Sequence, residues 1–315
     1  MKVIDLINSS KSTAFSFEIL PPLKGNSIQK VYNVIDKLIE FDPKYINITS
    51  HHSEYIYKTL PDGSFQKVNI RKRPGSVAIA SAIQNKYGIT AVPHIICKGF
   101  TKDETEYALI DLNFLGVYDL LLLRGDVKTL EAGQKTDIYH EHATDLQQQV
   151  NDFNKGIAID GSAFEANETP FSYGMACYPE KHEEAPNMES DIFYLKEKVK
   201  NGADYLVTQM FFDNEKYYAF VDRCRAEGIT VPIIPGIKPI VFKNQLTVLP
   251  KIFRSDIPEP FATELRKCKT DDEAKAVGVE WCIQQCKDLI AHGVPSLHFY
   301  TMMASDSVYK VAKEV

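Results

Sequence analysis

The sequence has 315 residues, 44% of them hydrophobic and 25% charged, with a formal net charge of −6. A chain of this length buries a large core without disulfides or metals, and its acidic balance excludes the basic surface that non-specific nucleic-acid binding requires. The amino-terminal MKVIDLINSSKS is too polar for a secretory signal and no apolar run reaches the length of a membrane span, so a cytoplasmic protein away from membranes is expected.

Along the chain, short β-rich runs alternate with longer segments of helical spacing. The runs are Phe15–Leu20, Tyr45–Ser50, Ile89–Ile96, Asp119–Gly125, Phe171–Cys177, Tyr205–Phe212, Thr230–Ile237 and Ser296–Met302. Most are almost continuously hydrophobic, as parallel strands covered on both faces should be. Helices are predicted over Ser27–Glu40, Thr101–Leu115, Asp191–Asn201, Asn214–Glu227 and Asp271–Ala291, with a last one from Ser305. Thr101 and Glu104 form a capping-box pattern, and Gly202 and Gly228 are suited to stop their helices. Two long connections, His51–Gly75 with its basic Arg71-Lys72-Arg73 and the polar Val127–Asp137, read as functional loops. Eight βα units predict an α/β fold, a single (β/α)8 barrel spanning residues 1–315. The other architecture compatible with the alternation is an open doubly wound sheet, but G-x-G-x-x-G and Walker A sequences are both missing.

In a barrel enzyme the chemistry sits at the carboxyl ends of the strands. Every run here delivers polar groups toward that rim: Glu18; Thr49 with His51 and His52; His94; Arg124 and Asp126; Tyr178 and His182; Gln209; Lys238; His298 and Tyr300. Glu18 lies in FSFEILPP between apolar neighbours, where desolvation would raise its pKa and suit it to donate a proton. The competing reading is an ion pair across the barrel mouth. Asp126 follows a buried strand and a glycine; it too could be a local partner of Arg124 or a helix cap. The adjacent His51 and His52 point oppositely on a strand, which argues against a metal site. The scattered Cys97, Cys177, Cys224, Cys268, Cys282 and Cys286 read as reduced, structural thiols, and no metal is expected.

Seven motifs in order, FSFEILPP, PHIICKGFT, LLLLRGD, ACYPEKH, VTQMFFD, IIPGIKPI and LHFYTM, resemble the catalytic domain of methylenetetrahydrofolate reductases from about Phe15 to the carboxyl end. The resemblance implies a barrel holding FAD and a ping-pong reaction. NADH or NADPH reduces the flavin, and methylenetetrahydrofolate then takes the hydride and becomes 5-methyltetrahydrofolate. It assigns the proton that opens the methylene bridge to Glu18. It gives flavin tuning and stabilisation of the iminium to Asp126. It makes Thr49, His94, Arg124, Asp126, Ala143, Tyr178, His182, Asp191 and Lys198 flavin contacts, and Glu18, Asp126, Gln209 and Gln245 substrate contacts. Related bacterial enzymes associate, so a homo-oligomer is among the partners it suggests.

The sequence departs from the family pattern at His142, Tyr194, Glu197, Leu249 and Ala304, which bears on flavin affinity and folate-tail recognition. The chain ends just after the last barrel helix, so no regulation by S-adenosylmethionine is expected. Three readings compete with a folate reductase: another FAD-dependent barrel oxidoreductase of proline dehydrogenase type, a pterin-binding methyltransferase barrel, and a catalytically silent partner subunit.

Overall fold

The computed structural model describes residues 1–51, 54–125, 138–302 and 304–315. Asp126 and the Val127–Asp137 connection lie outside the described residues, as does His52. The chain divides into two compact units: Met1–Ile19, Val34–Asn47 and Ser172–Val315 form the first, Leu20–Asn33 and Ile48–Phe171 the second.

The first unit holds helix α1 (Val3–Ser9), strand β1 (Ala14–Ile19) and most of β2 (Tyr45–Ile48), which is preceded by the end of α2 (Gln29–Leu38). Its larger segment adds β7 (Ser172–Cys177), α6 (Met188–Lys200), β8 (Tyr205–Thr208), α7 (Asn214–Ala226), β9 (Ile233–Ile234), β10 (Gly236–Ile237), α8 (Gln245–Phe253), α9 (Glu259–Lys267), α10 (Asp271–Ala291), β11 (Ser296–Tyr300) and α11 (Ser305–Glu314). Strands β7, β8 and β9 pair in that order, and β10, β11, β1 and β2 form a separate run of neighbours in that order. Each pairing whose register is resolved here is parallel. Strands β9 and β10 are one run interrupted at Pro235, which has no N–H for the ladder. Its carbonyl still accepts the His298 N–H at 3.0 Å.

Aromatic pairs fill the space between these strands and their helices. Phe17 stacks on Phe299 at 5.6 Å, Phe211 on Tyr217 at 5.3 Å, and Phe261 on Trp281 at 4.5 Å. The helices begin where short polar side chains satisfy the first free amides: Asn187 caps α6, Asp213 caps α7 and Thr270 caps α10. After α6 the chain turns through Gly202 at φ 109°, left-handed backbone that a side chain would strain.

The second unit contains hairpin strands β3 (Glu54–Thr59) and β4 (Phe65–Ile70), helix α3 (Ser76–Tyr87), β5 (Thr90–Ile96), α4 (Lys102–Phe114), β6 (Asp119–Leu123) and α5 (Ala143–Asn154). Strands β5 and β6 are parallel, with His94 opposite Leu121. The capping box predicted at α4 is present: Thr101 Oγ1 accepts the Glu104 N–H at 3.1 Å, and Glu104 Oε2 accepts the Thr101 N–H at 2.8 Å.

Counting β9 and β10 as one, all eight expected runs are parallel strands separated by helices, and the fold class is the (β/α)8 barrel. Part of the long connection after β2, read as a loop, is instead the β3–β4 hairpin. Its connection carries Asp62-Gly63, with Gly63 in left-handed backbone at φ 83°. Helices α1, α3, α5, α8 and α9 add to those expected from the sequence. Among the described residues, no helix is long and apolar enough to cross a membrane.

Candidate active site

The polar centre of the first unit is assembled by strand register. In the β1–β11 pair, Ser16 lies opposite His298 and Glu18 opposite Tyr300. Side chains two apart on a strand share a face, so these four project together. Ser16 Oγ lies 2.9 Å from His298 Nδ1. His298 is fully buried, and its Nε2 is 3.7 Å from Glu18 Oε2, a polar approach longer than a hydrogen bond. The imidazole is nearly parallel to the Tyr45 ring at 6.5 Å and edge-on to Tyr300 at 5.1 Å. Glu18 is itself only 6% exposed, and its carbonyl accepts a hydrogen bond from the Thr301 hydroxyl.

Tyr300 is held by its hydroxyl, which donates to the Thr208 carbonyl at 2.6 Å. Gly236 makes room for that ring: a Cβ there would lie 2.3 Å from the Thr208 oxygen and 2.6 Å from Tyr300 Cε2. Thr208 Oγ1 accepts the Gly236 N–H at 2.8 Å, tying β8 to β10. Burial and the nearby Glu18 push the Tyr300 phenol well above its ordinary pKa, and burial pushes Tyr45 up to about 12. Both phenols are therefore neutral at physiological pH. Lys238 follows β10 and is only 8% exposed; burial pulls its pKa down while Glu18 opposes the shift.

A second polar cluster of this unit follows β7. The Tyr178 and His182 rings meet edge-to-face at 4.7 Å, and the His182 N–H donates to Asp191 Oδ2 at 2.8 Å. Lys198 Nζ donates to the Ala176 carbonyl at 2.9 Å. Two rings, a carboxylate and an ammonium are thus gathered on one loop and the helix α6. Gln209, half-buried after β8, turns its Oε1 onto the Met210 N–H at 2.9 Å. Gln245 opens α8 and accepts the N–H groups of Val241 and Phe242 at 2.7 and 3.0 Å, so its carboxamide oxygen closes the preceding turn. Leu249 and Ala304 are buried.

Thr49, His94, Arg124 and Ala143 belong to the second unit. Thr49 Oγ1 is 3.2 Å from Nε2 of His51. The His94 carbonyl accepts from the Ser50 and Ser76 hydroxyls, fixing the end of β5. Arg124 is half-buried just after β6, and Ala143 is the first residue of α5. Of the two residues expected to carry the chemistry, the structure describes Glu18 and not Asp126. All six cysteines are buried and free. Burial pushes Cys97 up to about 12 and Cys177 well above its ordinary value, so neither is a thiolate nucleophile at neutral pH.

A buried carboxylate at a strand end, approached by a histidine and acting on the charge of a buried lysine, fits proton-transfer chemistry on the rim of this fold. The family model described as methylenetetrahydrofolate reductase matches residues 2–315. The chain belongs to the methylenetetrahydrofolate reductase family. It is 30% identical over 297 residues to the 5,10-methylenetetrahydrofolate reductase of Escherichia coli K12, covering 94% of this chain and 88% of that one. It is 30% identical over 315 residues to a probable methylenetetrahydrofolate reductase (NADPH) of Caenorhabditis elegans, covering 99% of this chain and 43% of the relative. With the Arabidopsis thaliana methylenetetrahydrofolate reductase (NADH) 1 the identity is 30% over 321 residues, 98% of this chain and 49% of the relative. The chain thus spans less than half the length of these two longer family members. Among solved structures, it resembles an uncharacterized Clostridium thermocellum protein that binds two copies of 5-methyl-5,6,7,8-tetrahydrofolic acid. The TM-score is 0.58 at 16% identity, over 98% of this chain and 97% of that one, and this likeness speaks to fold alone.

Proposed function

We propose that this protein reduces 5,10-methylenetetrahydrofolate to 5-methyltetrahydrofolate at the expense of NADH or NADPH, with FAD as intermediary in a ping-pong sequence. Family membership supports the reaction class. The observation that carries the reading for this chain is Glu18: a carboxyl group 6% exposed, at the carboxyl end of β1, aligned with His298 and Tyr300.

The methylene carbon between two nitrogens accepts a hydride poorly. Glu18 protonates one of those nitrogens, the ring opens, and the resulting iminium becomes electrophilic. Burial suits the group to this work because it keeps competing water away from the transfer. The Ser16-held imidazole limits where the Glu18 carboxylate can sit. In the same reading Asp126, outside the described residues, tunes the flavin and favours the cationic folate.

The residues that would hold FAD fit such a group in kind. Lys198 supplies a cation for a phosphate, Tyr178 and His182 supply ring faces and edges, and Asp191 orients the His182 backbone. In the same reading Thr49, His94, Arg124 and Ala143 are flavin contacts. When bound, FAD would accept a hydride from the nicotinamide and release it to the folate. Gln209 and Gln245 would face the substrate; their amide oxygens are engaged with backbone N–H groups, which leaves the NH2 ends as the donors for a pterin.

An anaerobic half-reaction tests the proposal. The chain is loaded with FAD, reduced, and mixed with methylenetetrahydrofolate. Return of the oxidised flavin absorbance together with 5-methyltetrahydrofolate is the expected result. A protein that is reduced by NAD(P)H yet never reoxidised by the folate would belong to a different flavin chemistry.

A further inference from the structure

Lys238 is an ammonium where an ammonium is costly. It is 8% exposed, and its one hydrogen-bond contact among the described residues is the thioether sulfur of Met302 at 3.9 Å. Buried cations are ordinarily paired or neutralised, and a thioether does little to offset the lost hydration.

Register places this side chain with the acid. Gly236 pairs with His298 and Ile237 with Phe299, so Lys238 is level with Tyr300, the residue that Glu18 pairs with from the other side. Glu18, Tyr300 and Lys238 are thus one rung across three adjacent strands, with the outer two backbones about 10 Å apart at the usual strand spacing. Glu18 and Tyr300 share the face defined by the Ser16–His298 contact and by the Tyr300 ring over Gly236, and Lys238, one residue past β10, lies within the electrostatic reach of Glu18. Tyr300 spends its proton on the Thr208 carbonyl, so it forms a neutral wall and not a third titrating partner. Among the described residues Glu18 of β1 is the charged group that acts on Lys238, while Tyr300 of β11, between them in the rung, also feels Cys177, Tyr178 and Tyr45.

We infer that Lys238 is the proton reservoir for Glu18, a positioning residue that supplies the acid with its proton within each folate turnover. This rests on the proposed role of Glu18. The Lys238 ammonium passes a proton to the Glu18 carboxylate, leaving a neutral amine and a carboxylic acid. Glu18 gives that proton to a folate nitrogen as the adjoining C–N bond breaks, the bonding pair staying on nitrogen. The hydride originating from NADH or NADPH adds its two electrons to the methylene carbon. The Lys238 amine then takes a proton from solvent. One proton and one hydride are consumed per methyl group formed, and both protein groups return to their starting state. A buried lysine suits this task because desolvation brings its affinity for the proton toward that of its partner.

The test uses the full chain with FAD and follows single-turnover reoxidation of the flavin by methylenetetrahydrofolate from about pH 6 to about pH 10. Wild type is compared with Lys238→Met, Lys238→Gln and Lys238→Arg. If Lys238 feeds Glu18, all three variants lose rate from a lower pH than wild type and fall about tenfold per unit thereafter. Arginine fails with the others because it keeps its charge but does not release its proton. Retention of the wild-type profile by Arg alone would make the role purely electrostatic and overturn the relay; retention by Met or Gln would make the position one of packing. A wild type that passes no hydride to the folate at any pH defeats the proposed function itself, a separate outcome. A second readout needs neither flavin nor folate. In protein carrying 13C-labelled lysine, the resonance lost in Lys238→Met should titrate below the ordinary lysine range. It should move lower still in Glu18→Gln, which removes the negative neighbour. An unchanged titration in Glu18→Gln would break the coupling on which the relay depends.

Discussion

His298 contacts Ser16 through Nδ1 at 2.9 Å and presents Nε2 to Glu18 at 3.7 Å. The ring is fully buried and lies over Tyr45, so its orientation is set by packing and one short contact together. The carboxylate it approaches is therefore presented from a defined direction, and the chemistry proposed here depends on that carboxyl group more than on any other described residue.

Glu18→Gln keeps the shape and removes the transferable proton. General acid catalysis of this kind contributes roughly 10²- to 10⁴-fold. Reoxidation of the reduced flavin by methylenetetrahydrofolate should slow by that order, while flavin reduction by the nicotinamide loses far less. Stopped-flow measurement of the two half-reactions separates them; equal losses in both would remove Glu18 from the role of acid.

Gly236→Ala should unfold more easily. The added methyl would stand 2.3 Å from the Thr208 oxygen and 2.6 Å from the Tyr300 ring, and neither the backbone nor a ring tied by its hydroxyl yields cheaply. Overpacking of this sort costs about 1–3 kcal/mol, read as a lower urea midpoint at unchanged slope. A variant as stable as wild type would mean that β8 and β11 separate more readily than their contacts indicate.

The stability contributed at Lys238 should depend on pH in a stated direction. Burial holds its folded-state pKa below the ordinary 10.5. Between the folded and unfolded values the unfolded chain binds more protons, so stability rises with pH across that window. Below it the buried charge is a full cost. Lys238→Met is thus expected to be more stable than wild type near pH 7, with the difference shrinking toward about pH 10. Urea titrations at the two pH values check this, and a gap that widened with pH would contradict the sign.

Lys198→Met should loosen FAD about tenfold, equivalent to about 1.4 kcal/mol, if its ammonium faces a phosphate. Titration of the apoprotein with FAD, followed by flavin fluorescence, gives the dissociation constant. Unaltered affinity would place the phosphates elsewhere and leave Lys198 as a tether to the Ala176 carbonyl.

The sequence by itself determined the succession of elements. Continuous runs such as Asp119–Leu123 become parallel strands because only a strand covered on both faces is apolar at every position. The Thr101–Glu104 box starts a helix because its partners are three residues apart and need nothing distant. Glu18 was legible for a similar reason: a carboxylate inside an apolar strand is anomalous in its own segment. The hairpin over 54–70 was within reach through its Asp-Gly turn. Tertiary structure alone decided which strand ends share a face. Ser16, Glu18, Lys238, His298 and Tyr300 come from three segments separated by as many as 280 residues, and register between strands, set by packing along the whole ladder, aligns them. Lys238 looked like one more polar residue at a strand end. Only the rung it shares with Tyr300 and Glu18 shows a buried ammonium within the field of the acid, since burial and charge proximity belong to neighbours that the linear chain keeps far apart.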